Sequence, residues 1–148
     1  MLFTLRPLVL ESKGLVAALH QLASKMEETH GQRVEVDALP GVADGLGLPK
    51  QAVIFFIAEE AINNSHKHGE AANIRVGLWK ARNDRIALEV WDDGVGFNVG
   101  AVDANYEQRG SLGMVNMRER SELIKGVLRI ESAEGKGTHI TLEVPLTN

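Results

Sequence analysis

Glu60, Asn64, and then Lys67 and His68 follow at steps of three or four residues, a spacing that gathers side chains on one face of a helix. The same stripe begins with Val53, Phe56 and Ile57, so its first half is apolar and its second half polar. Leaving such polar groups unpaired in a plain core costs roughly 2–7 kcal/mol each. A polar ligand pocket lined by the end of this helix removes that cost. A solvent-exposed helix end accounts for the same stripe without a ligand.

A second anomaly closes a strand-like run. Ile86, Leu88 and Val90 alternate, and the next residue on their face is Asp92, a carboxylate that needs a donor such as a ligand amine. Gly94 and Gly96 follow and let backbone approach a flat ring closely. Asp and Gly are also ordinary turn residues after a strand. Further on, Gly110-Ser-Leu-Gly113 stands immediately before a helical pattern, where free amides suit an anion such as phosphate; the plain alternative is loop punctuation. Thr138 shares a face with Ile140, Leu142 and Val144, so its hydroxyl points inward, toward a ligand or toward backbone.

The elements that must position these residues follow from periodicity. Leu15, Leu19, Leu22 and Met26 predict a helix over 14–29, with Ser12 as N-cap and Gly31 as its stop. Val34 and Val36 mark a strand over 33–38, and a turn-rich stretch leads to Pro49, which suits the first turn of a second helix ending near His68 and Gly69. Ile74, Val76 and Leu78 pair with Ile86, Leu88 and Val90 as a hairpin through residues 81–84. Asp93 to Ser111 lacks periodicity and predicts a mobile loop. A third helix is expected over 113–125, stopped by Gly126, and a last hairpin joins 127–132 to 138–144. Hairpins imply largely antiparallel pairing, hence an α/β (α+β) two-layer sandwich of a mixed sheet with helices on one face.

Composition narrows the function. The 148 residues suit one domain, and a formal net charge of −4 offers no drive toward nucleic acid or anionic lipid. The absence of cysteine excludes disulfides and thiolate chemistry. The N-terminal run is broken by Arg6, Pro7 and Glu11 and makes a poor signal peptide, and no segment reaches the roughly 18 apolar residues of a membrane span. The expected localisation is cytoplasmic, which leaves open a parent chain anchored in the cell membrane. The histidines lack a metal-binding pattern, and no Walker-type phosphate loop or early Rossmann glycine fingerprint is present.

The order of the motifs is more informative than any one of them. Glu60-Ala-Ile-Asn-Asn64-Ser-His-Lys-His68, Asp92-Asp-Gly-Val-Gly96, Gly110-Ser-Leu-Gly-Met-Val-Asn-Met-Arg-Glu-Arg120 and Gly135-Lys-Gly-Thr138 resemble the N, G1, G2 and Gly-Thr boxes of the sensor histidine kinase ATPase domain. That domain belongs to the Bergerat-type superfamily shared with DNA gyrase, the HSP90 chaperones and MutL-type ATPases. The Glu-Ala opening of the first box and the run Met117-Arg-Glu-Arg120 are most similar to the nitrate-sensor and lipid-fluidity-sensor kinases. The resemblance covers essentially the whole chain. Leu5-Arg-Pro7 and Leu15-Val-Ala-Ala-Leu19 resemble the subfamily's junction, placing residues 1–13 at the end of a dimerisation segment and 14–148 in the catalytic domain.

The resemblance implies ATP and Mg²⁺ as cofactors. It assigns Asn64 to the ion, with Glu60 positioning that ion or its waters, and Lys67 and His68 to phosphate. Asp92 would accept the adenine amine beside Gly94 and Gly96, with Thr138 supporting that bond. Gly110, Leu112, Gly113 and Met114 would form the lid hinge and its contacts. The segment from Asn98 to Arg109 is short and lacks a second Phe-rich box, as is usual in the subfamily. The implied reaction moves the ATP γ-phosphoryl group to a histidine on upstream dimerisation helices that this sequence does not contain. The implied partners are those helices, homodimeric in the full protein, and a response regulator with a helix-turn-helix output domain; none involves direct nucleic-acid or membrane contact. His20 lacks the acidic follower of an acceptor and is expected to be an ordinary surface residue. A free-standing anti-sigma serine kinase and a non-catalytic ATP-binding module share the fold and are the competing functions.

Overall fold

The computed structural model describes residues 7–67, 70–100 and 111–147. The described residues begin with two helices, α1 (Leu8–Lys13) and α2 (Leu15–His30), where one was expected. Gly14 separates them at φ 89°, ψ 178°, a conformation few other residues adopt. Ser12 is therefore not an N-cap: it lies inside α1 and its Oγ donates back to the Leu8 carbonyl at 3.0 Å. Helix α2 buries Leu15, Ala18, Leu19, Leu22, Ala23 and Met26 and ends at Gly31, in the left-handed region as anticipated.

Strand β1 (Arg33–Ala38) leads through turns to α3 (Leu48–Lys67). Strands β2 (Asn73–Ala81) and β3 (Arg85–Asp92) form the expected hairpin, turned by Asn83 and Asp84 at φ 60° and 53°, residues that tolerate that region. Helix α4 (Ser111–Leu123) and the hairpin of β4 (Val127–Ser132) with β5 (Thr138–Pro145) complete the chain. The sheet order is β1-β2-β3-β5-β4. Only β1 with β2 runs parallel; the other pairs are antiparallel.

One sheet face is apolar. Ile74, Val76, Leu78, Ile86, Leu88, Val90, Ile140, Leu142 and Val144 are buried, with helix residues Leu19, Ile54, Ile57 and Met117 in the same core. The opposite face carries Trp79 and Trp91, still 42% and 40% exposed. The architecture is the two-layer sandwich that the hairpins imply. Glu27 of α2 protects one edge by accepting the Val34 amide at 2.9 Å, and Lys50 fixes the start of α3 by donating to the Pro145 carbonyl at 2.6 Å. Leu10 of α1 is buried in this core as well.

Part of the stretch expected to be a mobile loop is tied down. The Val95 carbonyl accepts from Gly135 at 2.6 Å, and the Phe97 amide donates to Ser132 Oγ at 2.9 Å. The remainder, residues 101–110, lies outside the described residues.

Candidate functional site

Helix α3 carries the site from underneath. Its buried ridge is Ile54, Ile57, Ala58, Ala61 and Ser65, at the three- and four-residue steps of a helix face. This ridge lies to one side of the stripe read from the sequence. Val53 is only half-buried, and so are Glu60 and Asn64, which flank the core face and do not continue it. Both point toward α4: a methyl group built on Gly113 would lie 2.6 Å from Glu60 Oε2 and 3.6 Å from Asn64 Nδ2. Half-burial removes the desolvation problem while keeping both groups reachable. Lys67 is exposed on the last residue of α3, and His68 lies outside the described residues. The His66 ring stacks on His30 of α2, centroids 3.7 Å apart, and so faces away from this seam.

The Glu59 carboxyl is raised above the ordinary carboxylate range by burial first and by the like charge of Glu60 second, with Lys25 opposing.

At the end of β3, Asp92 is 4% exposed, as alternation predicts. Its Oδ1 accepts from the Gly94 amide at 2.9 Å and its Oδ2 from Ser65 Oγ at 2.5 Å. Thr138 sits directly opposite Asp92 in the β3–β5 register. Its hydroxyl pairs with Ser132 Oγ at 2.8 Å, and the side-chain donor to Asp92 is Ser65. Alternation along α3 gave no hint of this, because a lone serine on a helix face looks like a neutral small residue. Ser132, at the end of β4, was missed because a serine closing a strand looks like ordinary turn chemistry.

The glycines of this corner answer to the chain itself. A methyl on Gly96 would meet the Ala133 carbonyl oxygen at 2.1 Å, and one on Gly137, at φ 73°, would meet the Asp92 carbonyl oxygen at 2.3 Å. Close approach is thus required between the Asp92–Phe97 segment and the β4–β5 hairpin. The next residue, Asp93, staples the same segment to β2: its carboxylate accepts the Ala72 and Asn73 amides and the Asn73 side chain at 2.7–3.0 Å. Those bonds, led by the Asn73 side chain, hold Asp93 below the usual carboxylate range.

Helix α4 starts at Ser111 and not after Gly113, so Gly113 lies within the first turn, where packing against Glu60 explains the missing side chain. Leu112 belongs to that turn, and Gly110 lies outside the described residues. Met114 is buried in the core with Met117. Further along, the Arg120 guanidinium lies 4.0 Å over the Phe56 ring. An open cavity of about 470 Å³ is lined by Asn98, Val99, Gly100 and the hairpin residues Ser132, Ala133 and Glu134. None of Glu60, Asn64 or Asp92 lines it.

The arrangement brings a buried carboxylate at one strand end, an acid–amide pair on a helix and the first turn of a second helix to the same end of the domain. Among the described residues no group of three or more acidic, histidine or cysteine side chains is placed to hold a metal, and no helix is long and apolar enough to cross a membrane.

The chain is similar to known proteins. Residues 50–148 match the family described as histidine kinase-, DNA gyrase B-, and HSP90-like ATPase. The chain is 36% identical over 152 residues to an uncharacterized sensor-like histidine kinase of Chloroflexus aurantiacus, covering 99% of this chain and 25% of that protein. It is 36% identical over 141 residues to the sensor histidine kinase MctS of Rhizobium johnstonii, covering 95% and 30%. Among solved structures, the blue-light activated histidine kinase of Erythrobacter litoralis superposes with a TM-score of 0.72 at 22% identity, covering 90% of this chain and 42% of that one. The chain thus spans about a quarter to a third of the length of these two relatives.

Proposed function

Because the chain belongs to the histidine kinase-, DNA gyrase B- and HSP90-like ATPase family, we propose that it is the ATP-binding catalytic domain of a two-component sensor histidine kinase. The observation that carries the reading is Asp92, a buried carboxylate with a donor fixed on each oxygen. Its remaining lone pairs are acceptors only. They suit the exocyclic amine of adenine and repel the carbonyl oxygen at the same position of guanine.

Asn64 and Glu60 are the residues that would hold Mg²⁺. They are oxygen donors, half-buried on the helix seam, and a set of one or two protein ligands matches an ion that keeps its waters and binds substrate phosphates. When bound, that ion neutralises charge on the transferring group. Lys67 and His68 would pair with phosphate, and the first turn of α4, with Gly110, Leu112, Gly113 and Met114, would close the phosphate side. Gly113 leaves room there, whereas Met114 is buried and would act by anchoring the helix. The acceptor imidazole nitrogen would attack the γ-phosphorus as the bond to the β-phosphate oxygen breaks and ADP leaves. The protein's own work is to hold those atoms in line.

The partners in this reading are a homodimeric pair of acceptor helices and a response regulator with a helix-turn-helix output domain, as in the nitrate-sensor and lipid-fluidity-sensor kinases. Its setting is the cytoplasm, under a parent chain that the membrane can anchor. In this reading residues 1–13 are the end of the dimerisation-helix segment or its linker, and 14–148 the catalytic domain.

The test is γ-labelled ATP with the chain alone and with a separately purified acceptor-helix dimer. Acid-labile label on the helices, lost with Asn64→Ala, is expected. Acid-stable label on a serine of a protein partner, or Mg²⁺ dependence unchanged in Asn64→Ala, would overturn the reading.

A further inference from the structure

Ser65 is 3% exposed on α3, directly after Asn64. Its single hydroxyl proton has two acceptors in reach, Asp92 Oδ2 at 2.5 Å and the Ala61 carbonyl at 2.9 Å. The Ala61 carbonyl is the i−4 group of the helix, already the acceptor of the Ser65 backbone amide. The distance to Asp92 is that of a charge-assisted O–H···O⁻ bond, the stronger of the two. The proton therefore goes to Asp92.

We propose that Ser65 is a specificity-determining positioning residue, which fixes the plane of the Asp92 carboxylate and thereby sets the preference for a purine amine over a purine carbonyl. The proposal rests on the adenine reading of Asp92 given above. The terminal torsion of an aspartate is broad and roughly two-fold, so the carboxylate keeps one orientation only if something holds it. Gly94 donates to one oxygen from the strand end and Ser65 to the other from the helix. Two donors on different elements define a plane; one donor leaves a hinge. Thr138, the residue facing Asp92 across the sheet, has its hydroxyl engaged with Ser132 and does not replace Ser65. Discrimination by an acceptor depends on its lone pairs staying where the wrong base puts its oxygen. A carboxylate that swings costs ATP a bond and removes the repulsion that excludes GTP.

The experiment is equilibrium titration of ATP and GTP, with and without Mg²⁺, on the wild-type chain, Ser65→Ala and Ser65→Thr, each checked for folding by thermal melting. Ser65→Ala is expected to weaken ATP about tenfold, the loss of one hydrogen bond to a charged group. GTP weakens less, so the selectivity ratio falls by a similar factor, while the gain in affinity from Mg²⁺ stays as in wild type. Ser65→Thr restores the hydroxyl and the ratio. A wild-type ratio in Ser65→Ala overturns the proposal, and so does equal loss of both nucleotides together with the Mg²⁺ gain, which would mean a general disturbance around Asn64. If Ser65→Thr does not fold, the alanine variant decides alone. A wild-type chain that binds both nucleotides equally would remove the adenine reading as well, whereas wild-type selectivity untouched by Ser65→Ala removes only this inference.

Discussion

The guanidinium of Arg120 on α4 lies 4.0 Å above the ring of Phe56 on α3, seven residues beyond the Gly113–Glu60 contact that joins the same two helices. The two contacts set the helix spacing at both ends of the seam. A cation over a ring such as that of Phe56, which is buried, is worth about 0.5–2 kcal/mol. Phe56→Leu and Arg120→Gln are each expected to destabilise the domain, and a double-mutant cycle in urea should return a coupling of that size. Additive effects would show that the stack is incidental.

Gly113→Ala separates stability from function. Alanine is the better helix former by about 1 kcal/mol, and the atom in its way is the end of the flexible Glu60 side chain. The expected outcome is an unchanged or raised melting temperature with a reduced Mg²⁺-dependent gain in ATP affinity, because Glu60 is pushed from its place beside Asn64. Calorimetric titration and thermal melting of one sample check both halves.

Gly137→Ala should behave in the opposite way. Here the obstacle is the Asp92 backbone carbonyl and φ is 73°, so neither side can yield cheaply. A left-handed alanine alone costs roughly 1–2 kcal/mol, and the overlap adds to it. Urea unfolding is expected to show a loss above about 2 kcal/mol.

Asp93 predicts a pH dependence. Its folded value is lowered, chiefly by the Asn73 side chain, so its contribution is complete above the unfolded value near 3.8 and is lost as pH falls through the folded one. Asp93→Ala should therefore be less stable than wild type near neutral pH, with the gap closing in acid. A gap that is constant from neutral to acidic pH would exclude the carboxylate as its cause.

Much of this was legible in the residues. Alternation located β2, β3 and β5, and with them the inward carboxylate of Asp92 at a strand end. The motif order gave the family. What sequence spacing missed was rotation and rotor. Steps of three and four from Val53 defined a stripe, but the core face of α3 runs through Ile54, Ala58, Ala61 and Ser65, and a helix face is broad enough for both stripes to satisfy the same period. Likewise, alternation put Thr138 on the face of Ile140 and Leu142, but not its pairing opposite Asp92 or the rotor of its hydroxyl, which meets Ser132. The split at Gly14 escaped because Leu15 onward already satisfied a helix, and Ser12 has the chemistry of a cap without the position.

The strand that carries Asp92 inward turns Trp91 outward, since neighbouring side chains in a strand project to opposite faces. Trp79 shares that outer face, and these are the only two tryptophans in the sequence. On the proposed reading, both tryptophans are thus screened from a purine at Asp92 by the thickness of the sheet. A change in their emission on adding nucleotide would report movement of β2 and β3, or of Arg75, which lies 5.9 Å over the Trp91 ring, and not stacking against the base. Tryptophan fluorescence is accordingly expected to act as a strain gauge for this domain, with an amplitude that does not track occupancy unless the strands themselves respond.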